Sequence, residues 1–231
     1  MRATMNMLRR LIIQTLAFVV VMAALLFVPA GTADWPGAWA FLGEMAVASV
    51  AIGLWLARHD PGLLAERMSG LFRPGQARTD RMLMAVFLAL NVAWLPAMAL
   101  DAMRYRVSHV AVSVQVIGAV AVALCFYLAF LTFRANSYAA AAVRVQAERG
   151  HRVVTHGPYA VVRHPMYAGA LCYFLGTPLL LGSWWGLAFA PVLIVLIAVR
   201  AVTEERMLSA ALEGYPAYAA RVRYRLIPFV W

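Results

Sequence analysis

Residues 109–133 read HVAVSVQVIGAVAVALCFYLAFLTF and contain no aspartate, glutamate or arginine. A run of this length can cross the hydrocarbon core of a bilayer as a helix, which needs about 20 apolar residues. Further apolar runs lie at 11–29, 38–57, 82–102, 166–182 and 184–203. We therefore predict an all-α polytopic integral membrane protein with about six transmembrane helices, or five if the short run at 166–182 is re-entrant.

The composition of the whole chain supports a membrane protein and excludes several classes of enzyme. Hydrophobic residues make up 64% of the 231 residues and charged ones 13%, against about 45–50% and about 25% in soluble domains. No lysine occurs, so a Walker A phosphate site and a lysine Schiff base are excluded. No Gly-x-Gly triplet occurs either, which removes the fingerprint shared by soluble dehydrogenases and many soluble methyltransferases.

Cysteines and histidines give no sign of a metal centre. Cys125 and Cys172 lie inside apolar runs without a Cys-x-x-Cys spacing, so we predict buried hydrophobic side chains rather than a disulfide or zinc pair. The spacings of 5 and 8 residues between His151, His156 and His164 match no familiar ligand pattern. No metal site is therefore expected.

The arginines are distributed unevenly between the two sides of the predicted helices. With six crossings, 18 of the 20 arginines lie on one side, and only Arg104 and Arg106 lie on the other. The positive-inside rule then predicts that both termini are cytoplasmic. The net charge of +10 is interpreted as orientation and contact with anionic membrane lipid, and no nucleic-acid partner is expected. The arginine- and alanine-rich composition suggests a bacterial inner membrane.

A short amphipathic helix is predicted in the loop of residues 58–81. Two Pro-Gly turns, at 61–62 and 74–75, flank an apolar pattern in this loop. The apolar members of the pattern are Leu63, Leu64, Met68, Leu71 and Phe72. Such a segment is typical of a helix that lies in the membrane interface.

A group of polar residues lies at the start of the fifth apolar run, where residues 156–169 read HGPYAVVRHPMYAG. Proline is favoured at the first position of a helix, so Pro165 predicts that Arg163 and His164 lie at a helix N-terminus. Unpaired N–H groups there, with a bidentate fork from Arg163, would suit a carboxylate or phosphate. The alternative is that the Arg-His pair only anchors the helix among lipid headgroups.

The end of the sixth run carries a second pair of charged positions. Arg200 and Glu204 are one helical turn apart and share a face, so we predict that they pair at the membrane boundary. Glu205 points about 100° away and is expected to face lipid headgroups or water. The alternative is a snorkelling arginine with its ion-pair partner. Tyrosines in the tail at 214–228 suit either an interfacial belt or the walls of an adenine pocket.

Four motifs in this order resemble the isoprenylcysteine carboxyl methyltransferase family, which belongs with the integral-membrane phospholipid methyltransferases. They are Gly157-Pro158-Tyr159, Arg163-His164-Pro165-x-Tyr167-x-Gly169, Arg200-x-x-x-Glu204-Glu205 and Tyr215-x-x-Tyr218. The resemblance covers about residues 134–231. It implies a bacterial-type member in which four N-terminal transmembrane helices, residues 1–133, precede a cofactor-binding methyltransferase core, residues 134–231.

The resemblance also implies S-adenosyl-L-methionine as cofactor and a lipid-like or isoprenoid acceptor that enters from the bilayer. The positions implied for catalysis or acceptor placement are Arg163, Arg200 and Glu204. The positions implied for cofactor binding are His156, Gly157, Pro158, Tyr159, His164, Pro165, Tyr167, Gly169, Glu205 and Tyr218.

The chemistry of methyl transfer narrows the acceptor. Displacement on a sulfonium mainly requires alignment and exclusion of water. An ionised carboxylate needs no general base, whereas an amine would need Glu204 or His164 to take its proton. We therefore expect a carboxylate, oxygen or thiol acceptor, with phospholipid amine methylation as the alternative. A small transporter or channel, with Glu44 among its pathway charges, and a non-catalytic scaffold are further alternatives.

Overall fold

The computed structural model describes residues 2–70, 72, 76–142, 144 and 146–231, and side chains from residue 5 onward. Over these residues the chain is helical, without any β-strand. The α-helices are α1 (Arg2–Ala30), α2 (Pro36–His59), α3 (Pro61–Met68), α4 (Arg78–Ala99), α5 (Val112–Ala135), α6 (Pro165–Leu181), α7 (Trp184–Ala211) and α8 (Tyr215–Arg221). The predicted all-α class is confirmed.

Five of these helices are long and apolar enough to cross a membrane: α1, α2, α4 with its π-helical extension Leu100–Arg104, α5 and α7. The sixth apolar helix, α6, is shorter at 17 residues. It is joined to α7 by a tight turn in which Gly182 adopts a left-handed φ of 80° and the Ser183 hydroxyl accepts from the Gly186 N–H. The chain therefore has the predicted set of apolar helices.

Polar groups gather at the two ends of the helix bundle. One end, called the loop end, contains α3, the start of α4, the described residues 136–142, 144 and 146–164, the end of α7 and the tail after it. The other, called the hairpin end, contains residues 100–111 and the α6–α7 turn. Because α6 begins beside Glu205 and ends beside Asp101, it extends over the whole distance between the two ends.

Helices α5 and α6 pack with their backbones in close approach. A Cβ on Gly176 would lie 2.8 Å from both the Ala121 Cβ and the Gly118 carbonyl oxygen. A Cβ on Gly169 would lie 3.2 Å from the Cys125 carbonyl oxygen. Small residues allow such contact between membrane helices, where packing supplies much of the association energy. This interface fixes the start of α6 against the rest of the bundle.

The short helix predicted between α2 and α4 is present as α3. It begins at Pro61, is capped by the Asp60 carboxylate, which accepts from the Leu63 N–H at 2.9 Å, and ends at Met68. The side chain of Leu63 is fully buried. Leu71 and the Pro74-Gly75 turn lie outside the described residues. The Arg10 guanidinium donates to the Met68 carbonyl at 3.1 Å, so α3 lies beside the start of α1.

Candidate functional site

The start of α6 is closed by the C-terminal tail. Pro165 is the first residue of α6 and His164 its N-cap, as the sequence predicts. The backbone N–H groups of Arg163 and His164 donate to the carbonyls of Tyr224 and Arg225, both at 2.9 Å. The expected anion site at this helix start is therefore partly filled by the chain itself.

Glu205 is the centre of a buried charge cluster at the same place. Its Oε1 lies 3.1 Å from both Arg163 Nη1 and His164 Nε2, and its Oε2 lies 3.0 Å from Arg225 Nε. The residue is only 8% exposed. The expectation that Glu205 faces headgroups or water is wrong, because the tail folds back over α6 and brings Arg225 against α7. The Arg163 fork is likewise turned onto this carboxylate and onto the Arg223 carbonyl.

Glu204 and Arg200 lie on the same side of α7 but bind different partners. The Tyr167 hydroxyl donates to Glu204 Oε2 at 2.6 Å, and the Tyr167 ring stacks on the His164 imidazole with centroids 5.4 Å apart. Arg200 Nε donates to Asp80 Oδ1 at 2.9 Å. The predicted Arg200–Glu204 pair is thus absent from the ion pairs of the described residues, because an acid of α4 takes the guanidinium.

A cavity of about 220 Å³ lies between α6, α7 and residues 136, 138–142, 144 and 151–154. Eight of the residues predicted for the site line it: Arg163, Arg200, Glu204, Tyr159, His164, Pro165, Tyr167 and Tyr218. An adjoining cavity of about 360 Å³ is lined by His156 and shares Tyr138 and residues 152–154 with the first. The volume of the adjoining cavity is in the range of small-molecule sites, roughly 300–1,000 Å³, and that of the first cavity is somewhat below it.

Four predicted cofactor positions do not line either cavity, and the structure gives each another task. Gly157, with a left-handed φ of 60°, begins the 3₁₀-helix Gly157–Ala160, and Pro158 is its second residue. Gly169 packs against the backbone of α5. Glu205 lies behind the cavity wall, where it holds two lining residues in place.

Three residues of the cavity wall carry buried polar atoms without a hydrogen-bond partner among the described residues. Arg163 Nε, Arg144 Nε and the Tyr215 hydroxyl are buried without a partner among the described residues, and all three residues line the cavity. Buried polar groups in native proteins are nearly always hydrogen-bonded. A ligand with several acceptor atoms would satisfy them.

Tyrosines supply the aromatic part of the wall. The Tyr218 hydroxyl donates to the Tyr159 carbonyl at 2.9 Å, and the Tyr159 hydroxyl accepts from Asn136 Nδ2 at 2.8 Å. Burial raises the pKa of Tyr218 to about 12 and raises that of Tyr159 as well. Both phenols are therefore protonated at neutral pH. The Tyr159 hydroxyl, which accepts from Asn136, can still donate its own proton beside a flat apolar ring.

Several residues that line the cavity lie outside the four motifs and were not predicted. Arg67 of α3 and Met84 of α4 reach the cavity from the N-terminal helices, and Tyr138 and His151 reach it from the loop. Burial lowers the pKa of His151, whose Nδ1 accepts from the Gln146 N–H at 3.3 Å. A usable signal was the position of these residues on the arginine-rich side of the predicted topology.

The chain is similar to known methyltransferases, and the family model that matches it covers most of the half that carries the motifs. A family model described as phospholipid methyltransferase matches residues 114–213. The protein-S-isoprenylcysteine O-methyltransferase B of Arabidopsis thaliana is 36% identical over 90 residues, 38% of this chain and 45% of that protein. The protein-S-isoprenylcysteine O-methyltransferase of Schizosaccharomyces pombe is 38% identical over 82 residues, 35% of each. The match spans less than half of these relatives, and both are eukaryotic.

A solved structure shares the fold over almost the entire chain. It is a eukaryotic intramembrane Ras methyltransferase, an isoprenylcysteine carboxyl methyltransferase, with a TM-score of 0.53 and 22% sequence identity. The superposition covers 94% of this chain and 75% of that one. The similarity therefore includes the N-terminal helices, which carry none of the four motifs.

Proposed function

We propose that this chain is an S-adenosyl-L-methionine-dependent integral-membrane methyltransferase that methylates the carboxylate of a lipid-like or isoprenoid acceptor at the cytoplasmic face. The observation that carries the proposal is the cavity at the loop end, where Arg200 and Glu204 of α7 lie beside the stacked His164–Tyr167 pair of α6. The two isoprenylcysteine O-methyltransferase relatives support this chemistry, and the phospholipid methyltransferase family model supports methyl transfer more generally.

The charges on the cavity wall suit a cationic donor and an anionic acceptor. When bound, S-adenosyl-L-methionine supplies an electrophilic methyl group on a sulfonium. Glu204 contributes a carboxylate to a wall whose other charged groups include Arg67, Arg144 and Arg163. Coulomb attraction in a partly desolvated site places a positive group near Glu204 and a negative one near the arginines. An ionised carboxylate acceptor then needs orientation and no general base.

Arg200 is the side chain best placed to orient the acceptor. Its Nε and Nη2 are used by Asp80 and by the Ala141 carbonyl, while Nη1 has no hydrogen bond among the described residues. Arg200 lines the cavity from the second half of α7, a candidate membrane-spanning helix. A lipid-like acceptor can therefore lie with its apolar part in the bilayer and its carboxylate at this guanidinium.

The cofactor proposal is tested by binding of S-adenosylhomocysteine to the purified protein in detergent. We expect a saturable rise in thermal stability, about 2.7 kcal/mol at a hundredfold excess over the dissociation constant. His164→Ala and Tyr167→Ala are expected to weaken binding at least tenfold, about 1.4 kcal/mol. His109→Ala, at the hairpin end, is the matched control. Equal affinity in all variants would return His164 and Tyr167 to a headgroup-anchoring role.

The acceptor proposal is tested by transfer of a labelled methyl group to three probes. They are N-acetyl-S-farnesyl-L-cysteine, a polyprenyl carboxylic acid, and vesicles containing phosphatidylethanolamine. We expect base-labile label, the mark of a methyl ester, in one of the two carboxylates. Label in phosphatidylethanolamine would instead support the amine alternative, in which Glu204 accepts a proton.

We also propose that the protein lies in a bacterial inner membrane with both termini in the cytoplasm. The support is the distribution of the arginines along the sequence, in which six predicted crossings leave 18 of the 20 on one side. Ala3→Cys and Trp231→Cys variants should resist a membrane-impermeant maleimide in intact cells and react after permeabilisation. Labelling of either position in intact cells would contradict this orientation.

A further inference from the structure

Asp80 is a buried acid of α4 that belongs to none of the four motifs. It is 2% exposed and lies in the first turn of α4, where the helix dipole stabilises a carboxylate. Oδ1 accepts from Arg200 Nε at 2.9 Å and Oδ2 accepts from Gln76 Nε2 at 2.6 Å. The carboxylate is therefore fixed before any ligand is bound.

Arg200 is held on three sides as a result. Asp80 binds Nε, the Ala141 carbonyl accepts from Nη2 at 2.6 Å, and the Tyr167 ring lies 5.6 Å from the guanidinium carbon. An arginine side chain is long and flexible, so contacts of this kind remove most of its freedom. The remaining nitrogen, Nη1, is the part of the fork that the contacts within the described chain leave available.

The alternative partner for Arg200 lies on its own helix. Glu204 is one turn further along α7, at the spacing that favours an ion pair, and it also lines the cavity. A mostly buried guanidinium such as that of Arg200, whose side chain is 12% exposed, is costly without a counterion. If the Asp80 carboxylate were lost, Arg200 would therefore turn toward Glu204 and displace the Tyr167 hydroxyl.

We propose that Asp80 is a positioning residue that keeps Arg200 and Glu204 apart, so that Arg200 can bind the acceptor carboxylate while Glu204 stays hydrogen-bonded to Tyr167. This inference rests on the proposed function. It assigns a task in the reaction to α4, a helix that lies outside the stretch matched by the family model.

The test is steady-state methyl transfer to N-acetyl-S-farnesyl-L-cysteine, with S-adenosylhomocysteine affinity measured in parallel. Asp80→Asn keeps the shape of the side chain and is expected to raise the acceptor KM at least about tenfold, with cofactor affinity changed less than twofold. Asp80→Glu should recover part of the loss. Asp101→Asn is the matched control, because it neutralises a buried aspartate at the opposite end of the bundle, the hairpin end. It should leave the acceptor KM and the S-adenosylhomocysteine affinity unchanged.

A double variant shows whether Asp80 acts through Arg200. If it does, Asp80→Asn adds nothing to the KM defect of Arg200→Gln, because two residues that act as a unit are not additive. An unchanged acceptor KM in Asp80→Asn overturns the inference. So does a further loss in the Arg200→Gln background, or a fall in cofactor affinity equal to the rise in acceptor KM. A wild-type protein that transfers no methyl group to any of the three probes overturns the proposed function and this inference together.

Discussion

Carboxylates are buried at both ends of the bundle, but arginines hold them at the loop end and hydroxyl groups at the hairpin end. At the loop end, Asp80 pairs with Arg200, and Glu205 with Arg163. At the hairpin end, Asp101 Oδ2 accepts from two serine hydroxyls, at 2.7 and 2.5 Å. The guanidinium groups at the loop end belong to residues that line a cavity, whereas the serines cap a turn.

The difference separates a site from a structural junction. The Asp101 carboxylate accepts from two neutral hydroxyl groups through Oδ2 and so fixes the α6–α7 turn without a second charged group. A carboxylate paired with an arginine fixes a charged group whose remaining donors can bind something else. The same comparison explains why Glu205, which touches neither cavity, still matters for the residues that do.

The largest expected effect is the loss of Glu205. Glu205→Ala leaves Arg163 and Arg225 without their buried counterion and should destabilise the protein by about 3–5 kcal/mol. Asp101→Ala removes a carboxylate from neutral partners and should cost about 1–3 kcal/mol. Thermal unfolding of both variants in the same detergent checks the ranking. Equal losses of stability would contradict the comparison, because they would show that an arginine partner and a hydroxyl partner make no difference to a buried carboxylate.

The second effect separates Glu204 from its neighbour. Glu204→Gln keeps a hydrogen-bond acceptor for Tyr167 but removes the negative charge from the cavity wall. Turnover should fall by one to two orders of magnitude, the scale of a lost positioning contact, with stability almost unchanged. Glu205→Gln should show the opposite balance, with stability falling more than turnover per folded molecule. Turnover and unfolding measured on the same preparations distinguish the two; if both variants changed both quantities alike, the assignment of separate tasks would fail.

Much of the fold could be predicted because its signals are local. The Pro165 helix start, the six apolar runs and the turn at Gly182 follow from neighbouring residues. The angle between Glu204 and Glu205 was also predictable, because it depends only on helix geometry. What lies against each of them was not, since the tail that buries Glu205 returns from 20 residues further along the chain.

The partner of Arg200 could not be predicted either, because it also comes from a distant part of the chain. Helical spacing favours Glu204, four residues away, while the structure places Asp80, 120 residues away, against the guanidinium. Contacts between distant helices depend on how the bundle packs, and the close approach of α5 and α6 at Gly176 is one determinant of that packing. Local patterns locate a site of this kind but do not decide which side chains pair within it.

A smaller effect is expected at the hairpin end. The Ser183 hydroxyl both donates to Asp101 and caps α7 by accepting from the Gly186 N–H at 2.9 Å. Ser183→Ala should cost about 0.5–2 kcal/mol, the usual range for a lost N-cap. Because no ligand-binding residue is proposed there, S-adenosylhomocysteine affinity and turnover should match the wild type. A clear loss of either would show that the two ends are coupled through α6 or α7.

The smallest effect is a pH dependence that only the loop end should show. Burial lowers the pKa of His151 below its usual value near 6.5, and its Nδ1 accepts from the Gln146 N–H, which protonation would prevent. The unfolded chain therefore binds this proton more readily than the folded one. The stabilisation is fully present above the unfolded pKa and is lost as pH falls through the lower folded pKa.

The charged groups around His151 act in both directions: Glu204 and Glu148 favour its protonation, and Arg144 and Arg149 oppose it. Burial is the largest of these influences, so the net sign is destabilisation in acid. Unfolding of the wild type should become easier between pH 7.5 and pH 5, and His151→Gln should reduce that slope. Ser183→Ala is the control, because it weakens the hairpin end without removing a titrating group and should keep the wild-type slope. A His151→Gln variant with an unaltered slope would mean that this histidine is not protonated in acid, or that another group dominates at the loop end.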